Sequence, residues 1–315
     1  MNPSLKSILL PLTFPALSVI LLLTLLFSNS QFSISDPLFM FNLSRGLTGF
    51  LIGGALALSG MIFQALFRNP LADPYVLGIS SGAAAGAAAM FILGAAELLF
   101  ILVPAGSFAG ALMTLAVVLL ISGGSKSSTD RLLLSGVISG VILSSLLIYI
   151  ISISDSKQLA GVTWWILGDL QGGTPFTIAA LALISVLSLI LVRYFANDLN
   201  VLSLGDEEAA LLGTDVWKMR LFFVICASLL ASSSVAVAGV IGFIGLIVPH
   251  GVRLLLGSDQ RKISLSVFFA GGCFLQACDL IAAWLSQTRE MPVGVVSSCL
   301  GGSVFLYLLA RRKER

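Results

Sequence analysis

Apolar runs of about 20 residues recur ten times along the chain, near positions 8 to 28, 47 to 67, 76 to 95, 98 to 121, 132 to 152, 176 to 195, 219 to 238, 240 to 256, 265 to 285 and 293 to 310. Each approaches the length an α-helix needs to cross the ~30 Å hydrocarbon layer of a bilayer. In that medium every backbone N–H and C=O must be satisfied within the protein, so the pattern predicts an all-α polytopic bundle of about ten membrane helices. Composition agrees, because 57% hydrophobic against 10% charged residues leaves too little polar surface to cover a soluble domain of 315 residues. The seventh and eighth runs nearly touch, with Gly239, Gly242 and Gly245 between and within them. The first run has too long an apolar part for a secretion signal and no small-residue cleavage site after Ser28, so it reads as a span.

Ten crossings put both termini on one side, and the positive charge tests this independently. Lys6, Arg68, Lys126, Arg131, Arg193, Lys218, Arg220, Arg253, Arg261, Lys262, Arg311, Arg312, Lys313 and Arg315 fall on the terminal side, against Arg45, Lys157 and Arg289 on the other. The positive-inside rule then predicts cytoplasmic termini. A net charge of +2 scattered in short clusters gives no footprint for nucleic acid.

Between the second and third runs stands RNPLADPYVLGISSGAAAG, Arg68 to Gly86. Pro70 and Pro74 stop helix continuation and bias Asn69 and Asp73 toward extended backbone, so the chain turns before a new helix begins. Gly78, Gly82 and Gly86 then recur every four residues, which allows another helix to approach closely. The GISSG match at Gly78 to Gly82 is not a hydrolase elbow, since Ser80 follows a proline turn where that motif needs a strand. GGSKSS at 123 to 128 lacks the glycine spacing and flanking strand of a phosphate-binding loop.

The largest polar interruption on the terminal side, Asn197 to Lys218, is patterned for a short surface helix. Asp206, Glu207 and Glu208 suit its first turn, near the positive end of the helix dipole, and Gly213 suits a left-handed cap. Leu202, Leu204, Leu211 and Leu212 are left uncovered by this segment itself. It either lies on its own bundle or the lipid headgroups, or docks a partner; the exposed leucines favour the partner.

The run from Arg131 carries Gly136, Gly140 and Ser144 on one stripe with Ser135 and Ser139 beside it, suited either to close helix packing or to a mildly polar path wall. Asp279 inside the ninth run must face protein or water, because a central carboxylate costs about 2.5 to 3.5 kcal/mol on insertion scales. His250, the only histidine, stands beside Pro249 and near Arg253, and one imidazole makes a poor metal site. Cys226, Cys273, Cys278 and Cys299 lie in apolar runs without a CxxC pair and read as packing residues.

Three more strings complete the pattern: GFIGLIVPHGVRLLLGSDQR at 242 to 261, EMPVG at 290 to 294 and WWILGDL at 164 to 170. With the Arg68 turn and the 204 to 213 segment, they stand in the order found in permease subunits of the iron-siderophore, haem and cobalamin class of ABC importers, and the chain resembles that FecCD/BtuC-like family over nearly its whole length. The resemblance implies a type II importer permease: one transmembrane domain over 1 to 315 with a cytoplasmic coupling segment at 197 to 218, in a bacterial inner membrane. Its implied partners are a second permease copy or close paralogue, an extracytoplasmic substrate-binding protein, and two ATPase subunits that bind ATP and Mg. The chain itself is then no enzyme and carries no catalytic residue, metal or cofactor.

By the same resemblance Leu204, Gly205, Asp206, Glu207, Glu208, Ala209, Leu211, Leu212 and Gly213 form the helix that enters the ATPase. The turn before the fifth helix, at Thr129 and Asp130, maps to the cytoplasmic gate, with Ser135, Ser139 and Ser144 on the path. Asp130 departs from the small hydroxyl of cobalamin importers. Arg45, Arg289 and Glu290 take the binding-protein docking role, although Asn42 and Ala283 replace arginines of the cobalamin importer; interfacial anchoring is the alternative for both arginines. Asn69, Pro70, Asp73, Pro74, Pro249, His250, Arg253 and Asp279 are structural motif positions, Asp279 through a cap or interhelical bond. The implied cargo is a bulky metal chelate, foremost a ferric siderophore, with cobalamin or haem as alternatives and an ion-coupled carrier as the rival class.

Overall fold

A computed structural model describes residues 13–21, 23–24, 37–99, 101–123, 128–171, 173–286 and 291–312. Among them every regular element is a helix: α1 (Pro37–Leu66), α2 (Ile79–Ile92), α3 (Ala95–Leu98), α4 (Leu102–Ile121), α5 (Thr129–Ile153), α6 (Ser156–Leu167), α7 (Pro175–Tyr194), α8 (Ala196–Leu202), α9 (Asp206–Leu211), α10 (Val216–Ala238), α11 (Ile244–Leu256), α12 (Gln260–Leu285) and α13 (Val293–Arg312). Each of the ten apolar runs holds helix, the first through residues 13–21. By length and apolarity α1, α4, α5, α7, α10 and α12 can cross a bilayer unaided, whereas α2, α11 and the Val293–Leu306 part of α13 are shorter. For α2 and α11 the irregular stretches 67–78 and 239–243 precede the helix, and membrane proteins tolerate such backbone where it is buried in protein.

The central helix is α1, almost wholly buried and packed against α12, α10, α11 and α7. Its small residues set the distances. A Cβ on Gly53 would stand 2.2 Å from the Gly271 carbonyl oxygen of α12, and one on Gly60 would stand 1.9 Å from that of Gly245 in α11. These are backbone contacts between helices, which only glycine permits. The Gly82 and Gly86 spacing of α2 meets Gly106 and Gly110 of α4 in the same way.

Pro249 sits inside α11 and has no N–H to offer the carbonyl four residues earlier, Gly245. Gln64 of α1 supplies the missing donor: its Nε2 lies 3.0 Å from Gly245 O and 3.1 Å from Leu246 O. Its Oε1 in turn accepts from Arg253 of α11. The Arg68 turn closes over this crossing. Asn69 accepts from the Leu71 N–H and Asp73 from the Tyr75 N–H, both at 2.9 Å, so two side-chain-closed turns fill the path between the prolines. Pro74 then covers Gly245, and the Tyr75 hydroxyl donates to Ile241 O at 3.0 Å.

A second junction joins three separated strings. A Cβ on Gly239 would stand 2.0 Å from Trp165 O, and one on Gly294 would stand 2.3 Å from Leu167 O. The Asp169 N–H donates to Ala238 O at 2.9 Å, satisfying a carbonyl at the end of α10.

Several helices start before their apolar runs, α1 by ten residues, α12 by five and α10 and α5 by three, and a helix is added. The fifth spanning helix starts at Thr129, three residues before its apolar run, because Ser128 caps the Arg131 N–H and Asp130 suits the first turn. An additional amphipathic helix, α6, follows it, started by a reciprocal capping box of Asp155 and Gln158.

Gly60→Ala forces the α1 and α11 backbones apart and is expected to cost about 1–3 kcal/mol by overpacking. Gly251→Ala, with open space where its Cβ would go, is expected to shift the thermal unfolding midpoint little. Equal midpoints for the two variants in detergent would contradict the close crossing.

Candidate functional site

The chain leaves α7 through two short helices set at an angle. Leu202, expected to be uncovered, is instead buried: Asn200 of α8 donates to the Asp259 carboxylate at 3.0 Å and accepts from the Gln260 N–H at 2.9 Å, which lays α8 along the start of α12. That amide bond is the main reason the Asp259 carboxyl stays below the usual range. The break between the helices falls at Gly205, whose φ of 148° lies in a region essentially reserved for glycine.

The second helix, α9, holds Asp206, Glu207 and Glu208 in its first turn, as the dipole argument requires, and ends before Gly213 at φ 85°. Ala209 is fully buried beneath it, while Leu204, Leu211 and Leu212 are 60%, 87% and 63% exposed. Six residues make too short a helix to stand alone. Asp206 holds it in place by pairing at 2.5 Å with Arg220 of α10, a guanidinium only 5% exposed.

A groove of about 610 Å³ runs between α2, α4 and α5, lined by Ser135, Ser139, Leu134, Ile138, Ile142, Met113 and Thr114 among others. Ser135 and Ser139 face it. The neighbouring stripe does not: Gly136 packs on Leu77 and Val76, Gly140 on Gly78, and the Ser144 and Ser81 hydroxyls lie 3.1 Å apart. Thr129 is buried with its hydroxyl unpaired among the described residues, and Asp130 is exposed, both in the first turn of α5 where a preceding loop was expected.

About 30 Å along α1 from the Arg68 turn, Arg45 donates from Nε and Nη2 to both oxygens of Asp279 in α12, at 2.7 to 3.0 Å. Asp279 is completely buried, so its charge is met by an interhelical fork. A small pocket beside Arg45 is lined by Trp164, Asp169, Gln171, Ala283, Ser286, Met291 and Pro292. Arg289 and Glu290 lie outside the described residues, as do Gly124 to Ser127 of GGSKSS.

Asn69, Pro70, Asp73 and Pro74 form the turn described above, whereas Pro249, His250 and Arg253 lie within α11 instead of at a turn. Among the described residues, no group of three His, Cys, Asp or Glu side chains could hold a metal ion. Sequence reasoning missed Gln64 and Arg220 as site-building residues. Gln64, a lone amide in an apolar run, signals a required bond; Arg220 gave no signal, standing where charges normally meet water.

Desolvation pushes the Asp73 carboxyl up to about 6, against the lowering effect of the Tyr75 N–H. The folded state therefore holds this proton more tightly than the unfolded chain, so stability falls as pH rises from about 4 to 6 and is flat above. Asp73→Asn keeps the acceptor for Tyr75 and is expected to remove that fall and raise the midpoint at pH 7, read by thermal unfolding across pH. At the opposite end Arg45→Met strands the buried Asp279 carboxylate and is expected to cost about 3 kcal/mol, most of it recovered when Asp279→Leu is added, read by the same thermal unfolding.

The FecCD transport family model matches residues 7–311. The haemin transport permease HmuU of Yersinia pestis is 37% identical over 281 residues, covering 87% of this chain and 83% of that protein. The vitamin B12 import permease BtuC of Klebsiella pneumoniae is 38% identical over 313 residues, covering 95% and 93%. Among solved structures, an inward-facing metal-chelate type ABC transporter superposes with a TM-score of 0.87 at 27% identity, over 96% of this chain and 98% of that one. A match of this extent places the chain in the FecCD transport family as a permease subunit of the ABC importer class.

Proposed function

We propose that the chain forms one half of the transmembrane path of an ATP-driven importer for a bulky metal chelate, with ferric siderophores as the first cargo class. Two copies, or this chain and a paralogue, enclose the path; two ATPase subunits dock below, binding ATP and Mg, and a substrate-binding protein delivers cargo from outside. The observation that carries this reading is α9: a short segment pinned to the bundle by Asp206 and Ala209 yet leaving Leu204, Leu211 and Leu212 mostly uncovered among the described residues. A helix resting on its own bundle would turn those leucines inward, as Leu202 is turned. The asymmetry of Lys and Arg puts α9 and both termini in the cytoplasm, where an ATPase works.

The groove also supports the reading. Its wall is apolar with two serine hydroxyls, which suits passage of a large ligand without a deep binding minimum. The rival ion-coupled carrier needs an intramembrane ionisable group available for coupling. Asp279, the carboxylate the sequence offers for that role, is held by Arg45. Haem and cobalamin remain the second reading for cargo, favoured by the relatives named for haemin and vitamin B12.

Affinity purification of the complex is expected to bring down a Walker-type ATPase. Leu211→Asp with Leu212→Asp should release it while leaving the thermal midpoint of the permease near the original value. Retention of the ATPase with normal uptake would remove the coupling assignment. Binding of labelled ferric chelates, haemin and cobalamin to the cognate soluble receptor then separates the cargoes.

A further inference from the structure

The proposed docking of an ATPase on α9 leaves open how a push on six residues reaches a groove far from it. Besides the packing of Ala209 on the bundle, this helix is joined to its neighbours by its two chain ends and by an ion pair. Backward, Gly205 joins it to α8, but at a φ of 148° this link is a joint of the kind glycine makes, between helices that are anchored separately. Forward, Gly213 at φ 85° begins a second bend. The third is not covalent: Asp206 in the first turn grips Arg220, one turn into α10, at 2.5 Å.

These connections differ in where they lead. The forward link is closed by the Gly213 and Thr214 N–H groups, which donate to Ala210 O and Ala209 O at 3.0 Å, and it reaches only the start of α10. The ion pair is held from below, because the guanidinium is 5% exposed and boxed in by the bundle, whereas Asp206 is 44% exposed and moves with α9. A buried charge resists separation from its partner, since leaving either one alone is costly. Displacement of α9 therefore drags Arg220. That residue belongs to α10, a helix largely buried and packed against both α2 and α4, which form two of the three walls of the groove. By contrast α8 is tied through Asn200 to the start of α12, which does not line the groove.

We infer that Arg220 is the positioning residue that transmits ATPase movement from α9 through α10 to the groove. The inference rests on the proposed docking of an ATPase at α9. It assigns the Asp206 and Arg220 pair a role that neighbouring acids do not share: Glu207 and Glu208 belong to the same first turn, yet Asp206 is the one paired with α10.

The test uses the assembled permease and ATPase complex in lipid, in a Cys299→Ser background that removes the exposed native thiol. Ser135→Cys places a thiol on the groove wall, and its rate of modification by a charged methanethiosulfonate reagent is read with and without trapping of the ATPase by ATP and vanadate. Trapping is expected to change the rate about tenfold with Arg220 intact and less than about twofold in Arg220→Met, with the ATPase still bound and still inhibited by vanadate. Arg220→Lys should restore part of the response, and Asn200→Ala should keep all of it. Asp206→Asn, at a half-exposed position, gives the same reading should Arg220→Met not yield folded protein. A full response in either Arg220→Met or Asp206→Asn overturns the inference, as does loss of the response in Asn200→Ala alone. Absence of any bound ATPase from the unmodified complex would instead overturn the docking itself, so the two failures are distinct.

Discussion

The structure depends on one missing donor. Pro249 deprives α11 of a hydrogen bond at the buried Gly245, and an unsatisfied carbonyl there costs as much as a lost hydrogen bond. Gln64 repairs it from α1, which requires the two helices to approach until Gly60 and Gly245 touch backbone to backbone. Arg253 fixes which way the amide points by donating to its oxygen. Helix contact in lipid has little hydrophobic drive of its own, so a bond that only one register can make decides how the pair crosses. The Arg68 turn folds onto that crossing through Pro74 and Tyr75, and α2 starts from it.

This junction explains why the ordered strings recur together. RNPLADP and FIGLIVPH lie far apart in sequence but are two halves of one contact. WWILGDL, the Gly239 turn and the MPVG string form another, where Gly168, Gly239 and Gly294 let backbone carbonyls of separate segments pass closely. Neither junction follows from hydrophobic periodicity, because the first is made by a glutamine amide, close-packed glycines and a proline turn, and the second largely by non-helical backbone. Together they hold α10 and α11 in fixed positions between the inner platform and the outer end, leaving α5 the least buried of the spanning helices and free to border the groove.

Apolar length was enough to place a helix in each of the ten runs, whereas the start of α5 and the presence of α6 depend on the caps at Ser128 and Asp155. The acidic first turn and glycine end of α9 were equally legible, since both follow from the dipole and from backbone sterics. Leu202 was misjudged because exposure was inferred from its own segment, whereas the Asn200 bond to α12 depends on residues 59 and 60 positions away. The glycine stripe of α5 had two readings that periodicity could not separate; contact with the start of α2 assigns it to packing and leaves the adjacent serines on the groove. Arg45 and Asp279 were read as unrelated features. They lie 234 positions apart in sequence, and only the close packing of α1 on α12 brings them together.

That fork constrains how the outer end can act. Arg45 spends Nε and one Nη on Asp279, and breaking the pair would strand a carboxylate in the bundle. An acidic surface arriving from outside would therefore have to share the guanidinium, since displacing it carries the cost of a buried unpaired charge. The small pocket beside it, bordered by Trp164, Asp169 and Met291, is where such sharing would take place, on the same strings that carry the second backbone junction. The Asp169 bond to Ala238 ties that end of the bundle to the last turn of α10, and Arg220 ties α9 to the beginning of the same helix. One helix, α10, carries both ties and packs against α2 and α4, two walls of the groove.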